Sequence, residues 1–157
     1  MIITTYPNIL SLPADALAKV RDMTDLVYHP LKRGYTHSYG IEGWPDLRLM
    51  EGVAAPPQSD KVAGYRLMLM LHNPGNNYIF RDVGQAMKPQ GKGELVVLDI
   101  EAQHEVHSKA PNGGGGHEPW SALVWGPQGK PCMKENYELF EAIQIAQKEC
   151  ERFLKTL

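Results

Sequence analysis

The middle of the chain is a succession of short apolar runs. From Leu47 onward the segments DLRLMEGVA, YRLMLMLH, NNYIFRDVG, GELVVLDI and WSALVWG follow one another, each bounded by Gly, Pro or Asn. Runs of this length between turn-forming residues predict β-strands, and at least five of them in about 80 residues is the spacing of a sandwich or barrel. In YRLMLMLH, Leu67, Leu69 and Leu71 fall on one face and Arg66, Met68, Met70 and His72 on the other. Core packing is expected of the leucines and the methionines alike. The run LVVL at 95–98 is apolar at every position, the pattern of a strand that can be buried on both faces. Pro56-Pro57 is expected to break the chain between the first strand and the second.

Helical spacing flanks this region. Ser11, then Pro13, then apolar Leu17, Val20, Met23 and Leu26 at three-residue steps predict a helix over about 12–27, capped by Ser11. At the other end Tyr137, Phe140, Ile143, Ala146, Cys150, Phe153 and Leu154 form one stripe, predicting a long C-terminal helix over about 134–156. The stretch from His29 to Pro45 has neither periodicity and is expected to be loop with at most a short strand; Gly113 to Gly116 is expected to be a flexible loop. Together these elements predict one mainly β domain over 1–157, its β core at about 47–126 and its two helices on the outside.

Composition narrows the class of function. A chain of 157 residues can bury about two thirds of the surface its unfolded form exposes. With 43% apolar and 22% charged residues it has a globular composition. The formal net charge is −2, and no basic cluster is longer than Lys32-Arg33, which argues against an extended nucleic-acid surface. No apolar run reaches the roughly 18 residues of a membrane span, and MIITTYPNILSLP lacks the basic start of a signal peptide, so a cytoplasmic protein is expected. Cys132 and Cys150 form no CxxC motif and are expected to be free thiols, and no Gly-x-Ser-x-Gly elbow marks a serine hydrolase.

Candidate chemistry centres on GKGELVVLDIEAQHEVHS. In an extended segment His104 and His107 fall on opposite faces, so only one can face a barrel interior, and the local pattern leaves open which. Gly93-Glu94-Leu95-Val96-Val97-Leu98-Asp99, a short linker, and His104-Glu105-Val106 resemble the late part of the double-stranded β-helix of 2-oxoglutarate/iron(II) oxygenases, within the cupin superfamily. There a Gly-acid-apolar strand leads into a His-x-Val that carries the distal iron ligand. The resemblance covers about residues 47–126 and implies a double-stranded β-helix (jelly-roll) core, iron(II) and 2-oxoglutarate as cofactors, His104 as a ligand and His107 facing away. Gln58-Ser59-Asp60 stands where the family has His-x-Asp, which implies Asp60 as a second ligand with Gln58 in the third position.

Two departures matter. Glutamine is a weaker ligand than imidazole, and Pro119, in the place of the family's cosubstrate arginine before Trp120-Ser121-Ala122-Leu123-Val124-Trp125, offers no donor. Arg66 and Arg81, both in predicted strands, are the cations able to take over the far carboxylate of 2-oxoglutarate. His29, His37 and His72 are further histidines able to approach such a site, while His117 is expected in solvent; Trp120 and Trp125 are expected as core anchors. Two functions follow from the resemblance: a divergent iron(II)/2-oxoglutarate-dependent oxygenase acting on a small-molecule or macromolecular substrate, or a barrel without the chemistry that binds a protein partner.

Overall fold

The computed structural model describes residues 10–24, 36–53, 62–73, 91–101 and 119–157 in full, together with the backbone of strands at 3–6, 55–58, 77–79 and 104–108. In chain order the elements are β1 (Ile3–Tyr6), α1 (Ala16–Asp22), β2 (Thr36–Ile41), β3 (Trp44–Gly52), β4 (Ala55–Gln58) and β5 (Gly64–His72). There follow β6 (Asn77–Ile79), β7 (Leu95–Asp99), β8 (His104–Ser108), β9 (Trp120–Trp125), β10 (Cys132–Met133) and α2 (Leu139–Leu154). The chain is mainly β, with one helix towards each end.

The strands form two antiparallel sheets. The large one has the order β1-β7-β5-β9-β3-β2, with β10 added to β5; the small one has the order β4-β8-β6. From β3 to β9 each successive strand changes sheet, so β5 is flanked by β7 and β9 rather than by its sequence neighbours. Only β2 and β3 make a tight hairpin, among the described residues, through Glu42 and Gly43. Gly43 has φ 81°, a left-handed conformation that such a two-residue turn requires.

Both faces of the large sheet are apolar and both are buried. On one face Leu47, Leu49, Leu67, Leu69, Leu95, Val97, Leu123 and Trp125 pack with Val20 of α1 and with Ile143, Ala146, Cys150 and Phe153 of α2. On the other, Met50, Met68, Met70, Val96, Leu98, Trp120, Ala122 and Val124 form a second cluster that contains no helix residue. Alternation along each strand produces the division. Burying each such side chain contributes on the order of 1.5–3 kcal/mol. Phe153 anchors α2: it is fully buried and meets Trp44 edge-on at 5.1 Å, while Arg152 lies over the same Trp44 ring at 4.6 Å.

Several sequence expectations need correction. The first helix begins at Ala16, not near residue 12, because Asp15 takes a left-handed conformation (φ 56°) that cannot continue a helix, and Ser11 is not its cap. It ends at Asp22, and Thr24 bridges to Ile41 of β2; the expected residues 25–27 lie outside the described residues. The C-terminal helix begins at Leu139 rather than 134, because Asn136 and Tyr137 donate their N–H groups to the Met133 carbonyl in a turn. Tyr137, outside the helix, still packs edge-on against Trp125 at 5.9 Å. Phe140 does not belong to the buried stripe: it is 64% exposed. It sits about 100° further round the helix than Leu139, which packs against the core in its stead.

The β region also starts before residue 47, at β1 and β2. Pro56-Pro57 lies within β4, which is tolerated because β4 is at the edge of the small sheet and its register slips between Ala55 and Gln58. His72 ends β5 beyond a register shift that follows Met70, and it is exposed.

The two phenylalanines give a direct test of the packing. Phe153→Ala is expected to lower stability by about 3–5 kcal/mol in urea denaturation, the cost of a buried aromatic, whereas Phe140→Ser should change it by no more than about 0.5 kcal/mol. Equal effects at both positions would place α2 in the wrong rotation.

Candidate functional site

The structure brings two of the sequence-predicted site positions together. Gln58, the last residue of β4, is the register partner of His104, the first residue of β8. His107 is three residues further along β8, opposite Tyr78 of β6. Asp60 and Arg81 lie outside the described residues, as do His29 and His117. Arg66 is on β5, half-buried, opposite Leu98 of β7, so it belongs to the face of the large sheet that carries the methionine cluster.

Chain connections tie these positions to one end of the large sheet. Residues 59–63 lead from Gln58 to Gly64 at the start of β5, and residues 100–103 lead from Asp99 at the end of β7 to His104. The two strand ends are themselves joined, since Tyr65 pairs with Asp99 and the Ile100 N–H donates to the Gly64 carbonyl at 3.1 Å. Both candidate ligand positions are therefore connected by short chain segments to joined strand ends, two residues before Arg66.

That corner carries fixed charge. Lys134 donates to Asp99 Oδ2 at 2.6 Å and lies 3.7 Å from Glu101 Oε2, with its ammonium 5.2 Å from the centre of the Tyr65 ring. The hydrogen bond to Asp99 raises the Lys134 pKa above its usual value, against an opposing effect of burial, so Lys134 is charged at neutral pH. A cleft at the end of β9 is lined by Arg48, Arg66 and Lys130 together with the buried Val124 and Trp125. Its wall is the tight turn from Gly126 to Pro131. Arg48 is held in place by Ser38, donating from Nε to the hydroxyl at 2.6 Å and from Nη2 to the carbonyl at 2.9 Å.

At the opposite end of β3 is the buried carboxylate Glu51, which accepts from Arg21 of α1 at 2.9 and 3.2 Å in a two-point contact. Burial and, secondarily, the Glu51 charge push the nearby Tyr39 hydroxyl pKa up, with Arg21 acting against them. This pair ties α1 to the sheet. His37 is on β2, opposite Glu51 and stacked on Tyr39 at 6.3 Å, at this far end as well. Cys132 and Cys150 are free and buried, and burial pushes their thiols up to about 11 and about 12, so both are protonated at neutral pH and neither is a nucleophile.

Among the described residues no three His, Cys, Asp or Glu side chains converge as a metal site. No helix of the described residues is long and apolar enough to cross a membrane. Sequence reasoning missed Arg48, Lys130 and Arg21. Arg48 carried a readable signal, a lone cation between Leu47 and Leu49, as Arg66 does before Leu67. No family model, curated protein sequence or solved structure matches the chain.

The pairing of β4 with β8 can be tested by cross-linking. With Cα atoms of register partners inside the roughly 4.4–6.8 Å range of a disulfide, the double variant Gln58→Cys/His104→Cys is expected to oxidise to a bridged monomer. The control Gln58→Cys/His107→Cys should stay reduced. Bridging of the control alone would show a different register.

Proposed function

We propose that the chain is a divergent double-stranded β-helix (jelly-roll) protein of the 2-oxoglutarate/iron(II) oxygenase type, acting on a substrate selected by its loops. The observation that carries this reading is the register pairing of Gln58 with His104. These two residues were chosen from the resemblance alone, and nothing in a strand pattern requires them to be neighbours. Two further observations support it. Successive strands from β3 to β9 alternate between the two sheets, as winding of a β-helix requires. Among the described residues the methionine face of the large sheet is buried without any helix against it, and the small sheet is an element able to cover it.

The donor set fits iron(II) in type. His104 supplies an imidazole and Asp60 a carboxylate, while Gln58, opposite His104, supplies a neutral amide oxygen in place of a second imidazole. Affinity is lowered relative to a two-histidine site. When bound, iron(II) together with 2-oxoglutarate supplies oxidation of an unactivated substrate bond. The chain's own part is to position. Arg66, two residues into β5, presents a permanent positive charge to the far carboxylate of the cosubstrate, the role that Pro119 cannot fill. Arg81 is the other cation available for it.

A second reading has an observation of its own. Trp120 directly follows Pro119, is fully buried, and belongs to the methionine cluster. A large indole there occupies interior space that a cosubstrate would need, which favours a binding protein that keeps the barrel without the chemistry.

Metal content separates the two. After anaerobic loading with iron(II) and desalting, the oxygenase reading expects a stoichiometric amount of iron, lost in His104→Ala and Asp60→Ala and kept in His107→Ala. In calorimetry Arg66→Ala or Arg81→Ala, whichever provides the anchor, should weaken 2-oxoglutarate binding about tenfold or more. Absence of iron from the unmodified chain would leave the binding-protein reading.

A further inference from the structure

We propose that Met50, Met68 and Met70 form a binding site for copper(I) on the methionine face of the large sheet. This goes beyond the oxygenase reading and uses none of its residues. The three are the buried methionines of the described residues, and all belong to one cluster. Register sets them around one small side chain. Ala122 of β9 is paired with Met50 of β3 on one side and with Met70 of β5 on the other, and Met68 is two residues from Met70 on the same face. Two strand spacings, about 10 Å, separate the Met50 and Met70 backbones. Between them the alanine ends at its Cβ, and three flexible thioethers border the gap.

Packing alone does not account for where the methionines are. The opposite face of the same strands is equally buried, and there the places are held by Leu49, Leu67, Leu69, Leu71 and Leu123 with no buried methionine. Leucine fills a core with better-defined rotamers, whereas methionine adds flexibility and a polarizable sulfur. The face with the sulfurs also carries an unpaired acid. The Met70 N–H donates to the Glu94 carbonyl at 3.0 Å, so Glu94, directly before β7, stands beside Met70. Alternation from Val96 and Leu98 puts it on the methionine face. Its Oε2 is buried without a hydrogen-bond partner. Such an oxygen is costly to leave alone, and a cation on the neighbouring thioethers relieves it.

Ligand class follows from the donors. Thioether sulfur is soft and neutral, which suits copper(I) and not the hard oxygen-seeking cations such as magnesium. Met68 and Met70 are fully buried, so the site takes a bare ion rather than a larger ligand. The Glu94 carboxylate supplies the negative charge that three neutral sulfurs lack.

The test is a carbon-13 NMR titration of the full chain, labelled at the methionine methyls, with copper(I) added anaerobically as its acetonitrile complex. Silver(I), a redox-inert substitute, and magnesium are separate arms. Shifts of the Met50, Met68 and Met70 methyls that saturate at equimolar copper(I) or silver(I) are expected, with Met23 and Met133 unmoved. Met68→Leu and Met70→Leu conserve volume and should keep the fold, while each weakens the response about tenfold or more. Met133→Leu, outside the cluster, should leave it unchanged. Uptake of the ion with the three methyls unmoved, as binding at Cys132 or Cys150 would give, would overturn the proposal. So would an equal response to magnesium, or an unchanged response in both leucine variants of β5. His104→Ala, which removes iron in the oxygenase reading, should leave the copper(I) response intact, so the two readings fail separately. A response lost in His104→Ala and kept in Met70→Leu would place the ion elsewhere and overturn this site.

Discussion

The structure depends on one constraint: the central strands of the large sheet are apolar on both faces, and neither face can be left to water. β5 states it most plainly. Leu67, Leu69 and Leu71 on one side and Met68 and Met70 on the other are all fully buried. A sheet of this kind needs a layer on each side. The helices supply one, with Phe153 and Ile143 of α2 and Val20 of α1 set against the leucine face. Glu51 is buried because Arg21, on α1, satisfies both of its oxygens.

The second layer connects the fold to the proposed chemistry. If the small sheet covers the methionine face, β4 and β8 lie across the large sheet, and the corner where Gly64, Asp99 and Ile100 are joined becomes the mouth through which both Gln58 and His104 are reached. Arg66 stands near the start of β5, Arg48 in the middle of β3 between Leu47 and Leu49, and Lys130 in the turn after β9. Binding sites on β scaffolds are made by this arrangement: rigid apolar strands hold polar side chains where loops begin.

Much of the fold could be read from the sequence because it rests on alternation. The leucine and methionine faces of β5, the doubly buried β7 and the apolar β9 all follow from local pattern. What escaped is set by tertiary context. Strand β2, THSYGI, is largely polar because it is the outer strand of the large sheet, and its exposure alternates without an apolar run to announce it. The two prolines of β4 spoke against a strand and are accommodated by an edge. Phe140 obeyed three-residue spacing yet faces outward, since the spacing alone does not fix the centre of a stripe. The pairing of Gln58 with His104 could not come from either segment, because register between distant strands is decided by the whole sheet. Arg48 and Lys130 were legible singly, and only the turn after β9 makes them neighbours.

The claim on which the site rests is that the small sheet covers the methionine face. In the small sheet Val106 is flanked in register by Ala55 and Ile79, forming a row one pleat from His104. The direct measurement is a methyl NOE spectrum of the full chain with labelled methionine and valine. Cross-peaks from the Met68 and Met70 methyls to the methyls of Val106 are expected. Methionine methyls that meet only residues of their own sheet, with Val106 in contact with none of them, would contradict the two-layered core and with it the site.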